Sequence, residues 1–133
     1  MGQKDGEKWT AAVGLQPATP KSDRFPSIMI AALNGVAVGG GGLGLAMACD
    51  MRISVKSARF WMVPGVLDVV QDFGLSWLMQ RQMGPSRSMQ VAVLGAQINA
   101  EQGLQWGIVN EVVDDQAGLS ARMDAQSEHL QAC

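Results

Sequence analysis

The sequence predicts an α/β fold with a mostly parallel sheet and flanking helices, and three observations carry that prediction. A short apolar run, SIMIAAL from Ser27, is bounded by Pro26 and the Asn34-Gly35 turn pair, as a strand buried on both faces would be. Four consecutive glycines, Gly39 to Gly42, then lead the chain into LGLAMAC, an apolar stretch suited to a short buried helix ended by Asp50. Beyond it, strand-like and helix-like stretches alternate, the order that builds parallel sheets from β-then-α units.

Taken in order, residues 1–25 hold Gly2, Gly6, Gly14, Pro17 and Pro20 among scattered charges with no sustained period, and read as a loosely structured lead-in. The core is expected over residues 26–115 and a C-terminal helical tail over residues 116–133. Within the core, MRISV (Met51 to Val55) reads as the next strand, followed by a polar corner at Lys56-Ser57 and a brief extended piece through Phe60. Leu75, Leu78, Met79, Gln82 and Met83 fall at helical spacing; Gly84-Pro85 stops that helix, and Ser86 is placed to cap the next one, SRSMQVAVL. Asn99, with Gln102 three residues later, has the form of a capping box, so AEQGLQW is expected to be a helix ending at Gly107. IVNEVV then reads as the last strand, and the tail has a weak helical pattern through Leu119, Met123 and Leu130.

At 133 residues and 47% hydrophobic, the chain suits one domain with a real core. Its formal charge of -2 supplies no basic surface for displacing counterions from phosphates, so no nucleic-acid partner is expected. Cys49 inside an apolar run and Cys133 at the end do not make a disulfide framework, which fits a reducing cytoplasm. With two thiols and a single histidine, His129, read as a solvated helix residue, the usual zinc spacings cannot be assembled, so no metal is expected. The opening MGQKDGEKWTAAVG has no apolar core after its lysines, and no secretory signal is read there. Ser27 to Cys49 is uncharged for long enough to span a bilayer, but Gly35, Gly39, Gly40, Gly41, Gly42 and Gly44 each weaken a helix by roughly 1 kcal/mol relative to alanine. No membrane association is expected.

The glycine run is the chemically informative feature. Only backbone can occupy such a turn, and its N–H groups face whatever sits there. At a helix N-terminus those amides suit a phosphate or a developing oxyanion, and spacing alone does not choose between the two. Close strand-to-helix packing would also account for the glycines. No G-x-x-x-x-G-K-[ST] motif is present.

The segment from Asn34 to Asp50, NGVAVGGGGLGLAMACD, resembles the enoyl-CoA hydratase/isomerase (crotonase) superfamily, in which a buried strand leads through N-G-x-A-x-G-G-G into a helix ending A-x-x-C-D. Two further blocks agree, in the family's order. FWMVPGVLDVVQDFGLSWLMQRQMG (Phe60 to Gly84) is similar to the stretch with G-L-x-P-D-x-G-x-S-x-x-L-x-R, and LGAQINAEQGLQWGIVNEVV (Leu94 to Val113) to L-T-G-x-x-x-x-A-x-E-A-x-x-x-G-L-V-x-x-V-V. The likeness runs from Ser27 to Val113, about two thirds of the chain. It implies a partial crotonase-like (ββα) fold that binds a coenzyme A thioester as substrate and needs no cofactor. Two backbone amides would hold the thioester oxygen while an enolate-like charge develops.

For one of those amides, counting forward from Asn34 selects Gly40 and counting back from Asp50 selects Gly41, because this run has one glycine more than the family's. The other comes in the family from an upstream [AS]-x-G-x-D, which residues 1–26 do not contain, so a monomer is expected to be severely impaired. The two glutamates of the family's hydratases are replaced by Gly44 and Pro64, which points away from hydration. Asp72 aligns with the aspartate of the family's isomerases and is the candidate acid/base, with helix capping as its structural alternative. Asp68 stands where the family has glycine and Gln71 where it has proline. Trp61 and Met62 are candidates for an acyl pocket, with core packing the commoner use of such residues, and Trp106 reads as core. The reading is an isomerase-like acyl-CoA binder. Its alternative is a non-catalytic family remnant working through oligomer assembly, with copies of itself or with full-length relatives, since the superfamily forms trimers and hexamers.

Overall fold

Two corners divide the strands between two sheets. In the computed structural model, which describes residues 14–17, 28–63, 71 and 73–131, the chain turns at Asn34-Gly35 from β2 (Met29–Leu33) into β3 (Val36–Val38). It turns again at Lys56-Ser57 from β4 (Met51–Val55) into β5 (Arg59–Trp61). With β1 (Gly14–Pro17), β6 (Gln97–Asn99) and β7 (Glu111–Val113), these form a four-stranded sheet ordered β1-β2-β4-β7 and a three-stranded sheet ordered β3-β5-β6. Each corner therefore sends one strand to each sheet. The pairs β2–β4, β4–β7 and β3–β5 are parallel, and β1–β2 and β5–β6 antiparallel, so the mostly parallel α/β arrangement holds. The corners are stitched together, for the Arg59 amide donates to the Gly35 carbonyl at 3.3 Å and its guanidinium donates to the Ala58 carbonyl at 2.8 Å.

Among the described residues five helices flank the sheets: α1 (Leu45–Met47), α2 (Leu75–Met83), α3 (Pro85–Leu94), α4 (Ala100–Gln105) and α5 (Gln116–Gln131). The core between them is continuous. Leu43, Ile53, Phe60, Met62, Leu75 and Met79 are fully buried within it, and burial of side chains this size contributes about 1.5–3 kcal/mol each. Helix α2 follows its predicted spacing, with Leu75, Met79 and Met83 inward. The tail helix finds its partner surface, burying Leu119 and Met123 against β2, β4 and β7 while His129 stays exposed.

The capping box is present in both halves. The Gln102 amide donates to Asn99 Oδ1 at 2.8 Å, and the Asn99 amide donates to Gln102 Oε1 at 3.1 Å. Asn99→Ala is expected to cost about 1 kcal/mol in urea unfolding, and an unchanged midpoint would show that the box does not stabilise α4. Helix α4 sits on Phe60 through Gly103, where a Cβ would stand only 2.6 Å from the ring.

Several local expectations are corrected. Ser86 does not cap α3: Gly84, at φ 83°, holds that position, and Pro85 takes the first helical place, where its missing N–H costs nothing. Of IVNEVV only Glu111–Val113 pairs as a strand; Gly107, at φ 79°, ends α4, and Ile108 and Val109 are buried in the turn that follows. Trp106 is half-buried at the core's edge rather than inside it, with the Arg87 guanidinium 5.6 Å from its ring centroid. Strand β6 had no signal, since three residues running into a helix cap are too few to show alternation. Strand β1 falls inside the stretch read as lead-in. The uncharged stretch is split among β2, β3, the glycine turn and α1, and among the described residues no helix is long and apolar enough to cross a membrane.

Ser54 lies on β4 with no exposed surface, and its hydroxyl has no hydrogen-bond partner. A buried hydroxyl without a partner costs about 1–3 kcal/mol, so Ser54→Ala is expected to raise stability by about 1 kcal/mol. A fall in the urea midpoint would contradict this.

Candidate functional site

The glycine run departs from a plain strand-turn-helix. Gly39, at φ 58°, ends β3 in a backbone region that only glycine enters readily, and Gly40–Gly44 then form one π-helical turn running into α1. The Leu45 amide closes that turn by donating to the Gly40 carbonyl, five residues back, and also to Gly42. A π turn holds one residue more than an α turn, so it absorbs the additional glycine and leaves β3 before it and α1 after it in step. As first-turn residues, Gly40 and Gly41 have amides with no intrahelical acceptor. Gly40 is buried and Gly41 exposed, and a Cβ placed on Gly41 would meet nothing within 4 Å. The strand expected to be buried on both faces is β2, where Ile30, Ala31 and Leu33 are buried; β3, which stands between it and the glycines, is buried only at Ala37, with Val36 and Val38 exposed.

Gly44, the place of a hydratase glutamate, is closed. A Cβ there would stand 3.2 Å from Phe73 Cβ, 3.7 Å from Leu75 Cβ and 3.7 Å from the Phe73 carbonyl oxygen. Phe73 is the one non-glycine residue with positive φ among those described, at 49°, and its side chain is 68% exposed. Gly74, at φ 66°, holds the N-cap position of α2. Asp72 itself, Pro64 and Asp68 lie outside the described residues. Gln71 is half-buried, and its buried amide oxygen has no donor. Trp77, one turn into α2, is 60% exposed and carries the Arg81 guanidinium 4.5 Å from its ring centroid.

Of the acyl-pocket candidates, Trp61 ends β5 and Met62 follows it. Met62 is fully buried in the main core, and half-buried Trp61 donates its indole N–H to the Gly95 carbonyl at 2.8 Å. Among the described residues no three or more His, Cys, Asp or Glu side chains stand together as metal ligands would.

What holds the glycine turn in place was not singled out in the sequence. The Asp50 carboxylate accepts the Met29 amide at 2.8 Å and the Asp50 amide donates to the Met29 carbonyl at 2.9 Å, so the end of α1 is fixed to the start of β2. Arg52, 3% exposed, donates from Nη1 to the Cys49 carbonyl at 2.6 Å and from Nε to the Ile108 carbonyl. Its backbone exchanges two 2.8 Å bonds with Asn110. The only signal was a lone arginine within the apolar strand MRISV. Burial pulls the Arg52 pKa down, against the upward pull of Cys49 and Asp50, and burial pushes the neighbouring Cys49 thiol up. That thiol is free, buried, and donates to the Leu45 carbonyl at 3.4 Å.

A family model described as enoyl-CoA hydratase/isomerase matches residues 7–131. The chain is 40% identical over 114 residues to the 1,2-epoxyphenylacetyl-CoA isomerase of Escherichia coli (strain K12), covering 86% of this chain and 43% of that protein. It is 34% identical over 102 residues to the (E)-benzylidenesuccinyl-CoA hydratase of Thauera aromatica, covering 77% of this chain and 39% of that one. Among solved structures, a putative enoyl-CoA hydratase from Thermobifida fusca YX in complex with acetoacetyl-CoA superposes with a TM-score of 0.76 at 29% identity, over 80% of this chain and 41% of that chain. The chain thus spans less than half the length of these relatives.

Proposed function

Because the chain belongs to the enoyl-CoA hydratase/isomerase family, we propose that it binds an acyl-CoA thioester at the glycine turn and acts on it as an isomerase rather than a hydratase. The observation that carries this is the π turn itself, whose Gly40 and Gly41 amides are left without intrahelical acceptors at the end of β3. The solved relative with acetoacetyl-CoA bound supports a thioester as the ligand. An amide aimed at the thioester oxygen stabilises the enolate-like charge that develops when a proton leaves the adjacent carbon. Of the two, Gly41 is the exposed one.

In this reading Asp72 moves the proton from one carbon to another, a task that needs one base and no activated water. Hydration would need a carboxylate at position 44, where there is no side chain and Phe73 occupies the space. Coenzyme A enters as part of the substrate, and the free buried thiol of Cys49 agrees with a cytoplasmic setting. The test is an enoyl-CoA assay scored for both double-bond migration and water addition. Migration without measurable hydration is expected, and hydration as the main reaction would overturn the assignment.

A second reading, assembly without catalysis, draws on helix α3, where Met89, Val93 and Leu94 are all more than half exposed. Met89 and Val93 lie one turn apart on one face. If that face joins copies of the chain, Val93→Glu converts the assembly to monomer in analytical ultracentrifugation. Equal mass before and after the change would remove the reading.

A further inference from the structure

Phe73 combines three features that the packing of the fold does not account for. Its backbone sits at φ 49°, a region costly for a bulky L residue, and it persists only where the surroundings hold it there. Its side chain is 68% exposed, so the strain is not offset by burying the ring. Its Cβ lies against Gly44, at 3.2 Å from where a Cβ on that residue would be. Gly40–Gly44 close as a π turn between residues five apart, so Gly44 comes round nearly over Gly40 and not over Gly41, and the Phe73 Cβ stands about one turn from the Gly40 amide.

We propose that Phe73 determines acyl-group specificity, presenting its ring as a platform for a flat, aromatic acyl substituent of a thioester held at the glycine turn. The proposal rests on the thioester reading of that turn. With the carbonyl oxygen on the Gly40 amide, a substituent running along the same side reaches Phe73, and an aryl group can lie against its ring. Leu75, buried behind Gly44, closes the floor. A carboxylate at position 44 would lie between amide and ring, so its absence and the exposed phenylalanine belong to one arrangement.

The test is equilibrium binding of phenylacetyl-CoA and acetyl-CoA to the full chain and to its Phe73→Asn and Phe73→Tyr variants, with thermal unfolding of each. Asparagine tolerates the left-handed backbone and removes the ring, whereas tyrosine keeps it. In Phe73→Asn, phenylacetyl-CoA is expected to weaken about tenfold more than acetyl-CoA, and in Phe73→Tyr the preference is expected to survive. Equal weakening of both ligands, or none, overturns the role of Phe73 and leaves the thioester reading standing. If neither thioester binds the unaltered and folded chain, the thioester reading fails and this inference with it.

Discussion

Gly41→Pro is expected to lower isomerisation of an enoyl-CoA by about 10²- to 10³-fold, the usual consequence of removing one oxyanion donor. Proline deletes the amide proton and puts its ring Cδ where that proton was. First-turn residues have no intrahelical acceptor to lose, and the space beside Gly41 is open. Gly41→Ala is the matched control: it keeps the N–H, its Cβ meets nothing within 4 Å, and its activity should stay close to that of the parent. Counting along the glycine run leaves Gly40 as the other candidate, and Gly40→Pro separates them. Loss in Gly40→Pro with retention in Gly41→Pro would move the donor one residue upstream within the same turn. Retention in both would remove the glycine turn from catalysis.

Arg52→Leu is expected to cost the fold about 3 kcal/mol, seen as a lower urea midpoint at unchanged slope. The magnitude follows from what is left behind. The Cys49 and Ile108 carbonyls both lose a buried charged donor, and each unsatisfied buried acceptor costs about 1–3 kcal/mol. Leucine recovers part of the lost apolar contact of the arginine stem, so the loss isolates the guanidinium bonds. Because Cys49 closes the segment that begins with the glycine turn, the variant should also weaken thioester binding before it unfolds. A stability change below about 0.5 kcal/mol would show that water or neighbouring groups satisfy those carbonyls.

The sequence sufficed where chemistry is local. The Asn99–Gln102 box, the 75–83 helix and the Met51–Val55 strand each depend on residues within a few positions of one another, and each is present. It failed where long-range packing decides. Nothing in VAV or QIN distinguishes a three-residue strand from a loop; they become strands because β5 runs between them and pairs with both. The π turn was visible only as one glycine too many, since a backbone closure leaves no side-chain pattern. Arg52 was passed over because a charged residue in a strand ordinarily faces water, and its carbonyl partners at Cys49 and Ile108 become neighbours only on folding. Phe73 carries no signal in the sequence, for its strained backbone against Gly44 is a property of the tertiary structure alone.

Whether a glycine-turn amide donates to a thioester oxygen is read by an amide-resolved NMR titration with acetyl-CoA, with free coenzyme A as the reference. The Gly41 or Gly40 amide proton is expected to move downfield in a shift that saturates with acetyl-CoA and is absent with coenzyme A, which lacks the carbonyl. Saturable binding of acetyl-CoA that leaves both amides unmoved would contradict that donation.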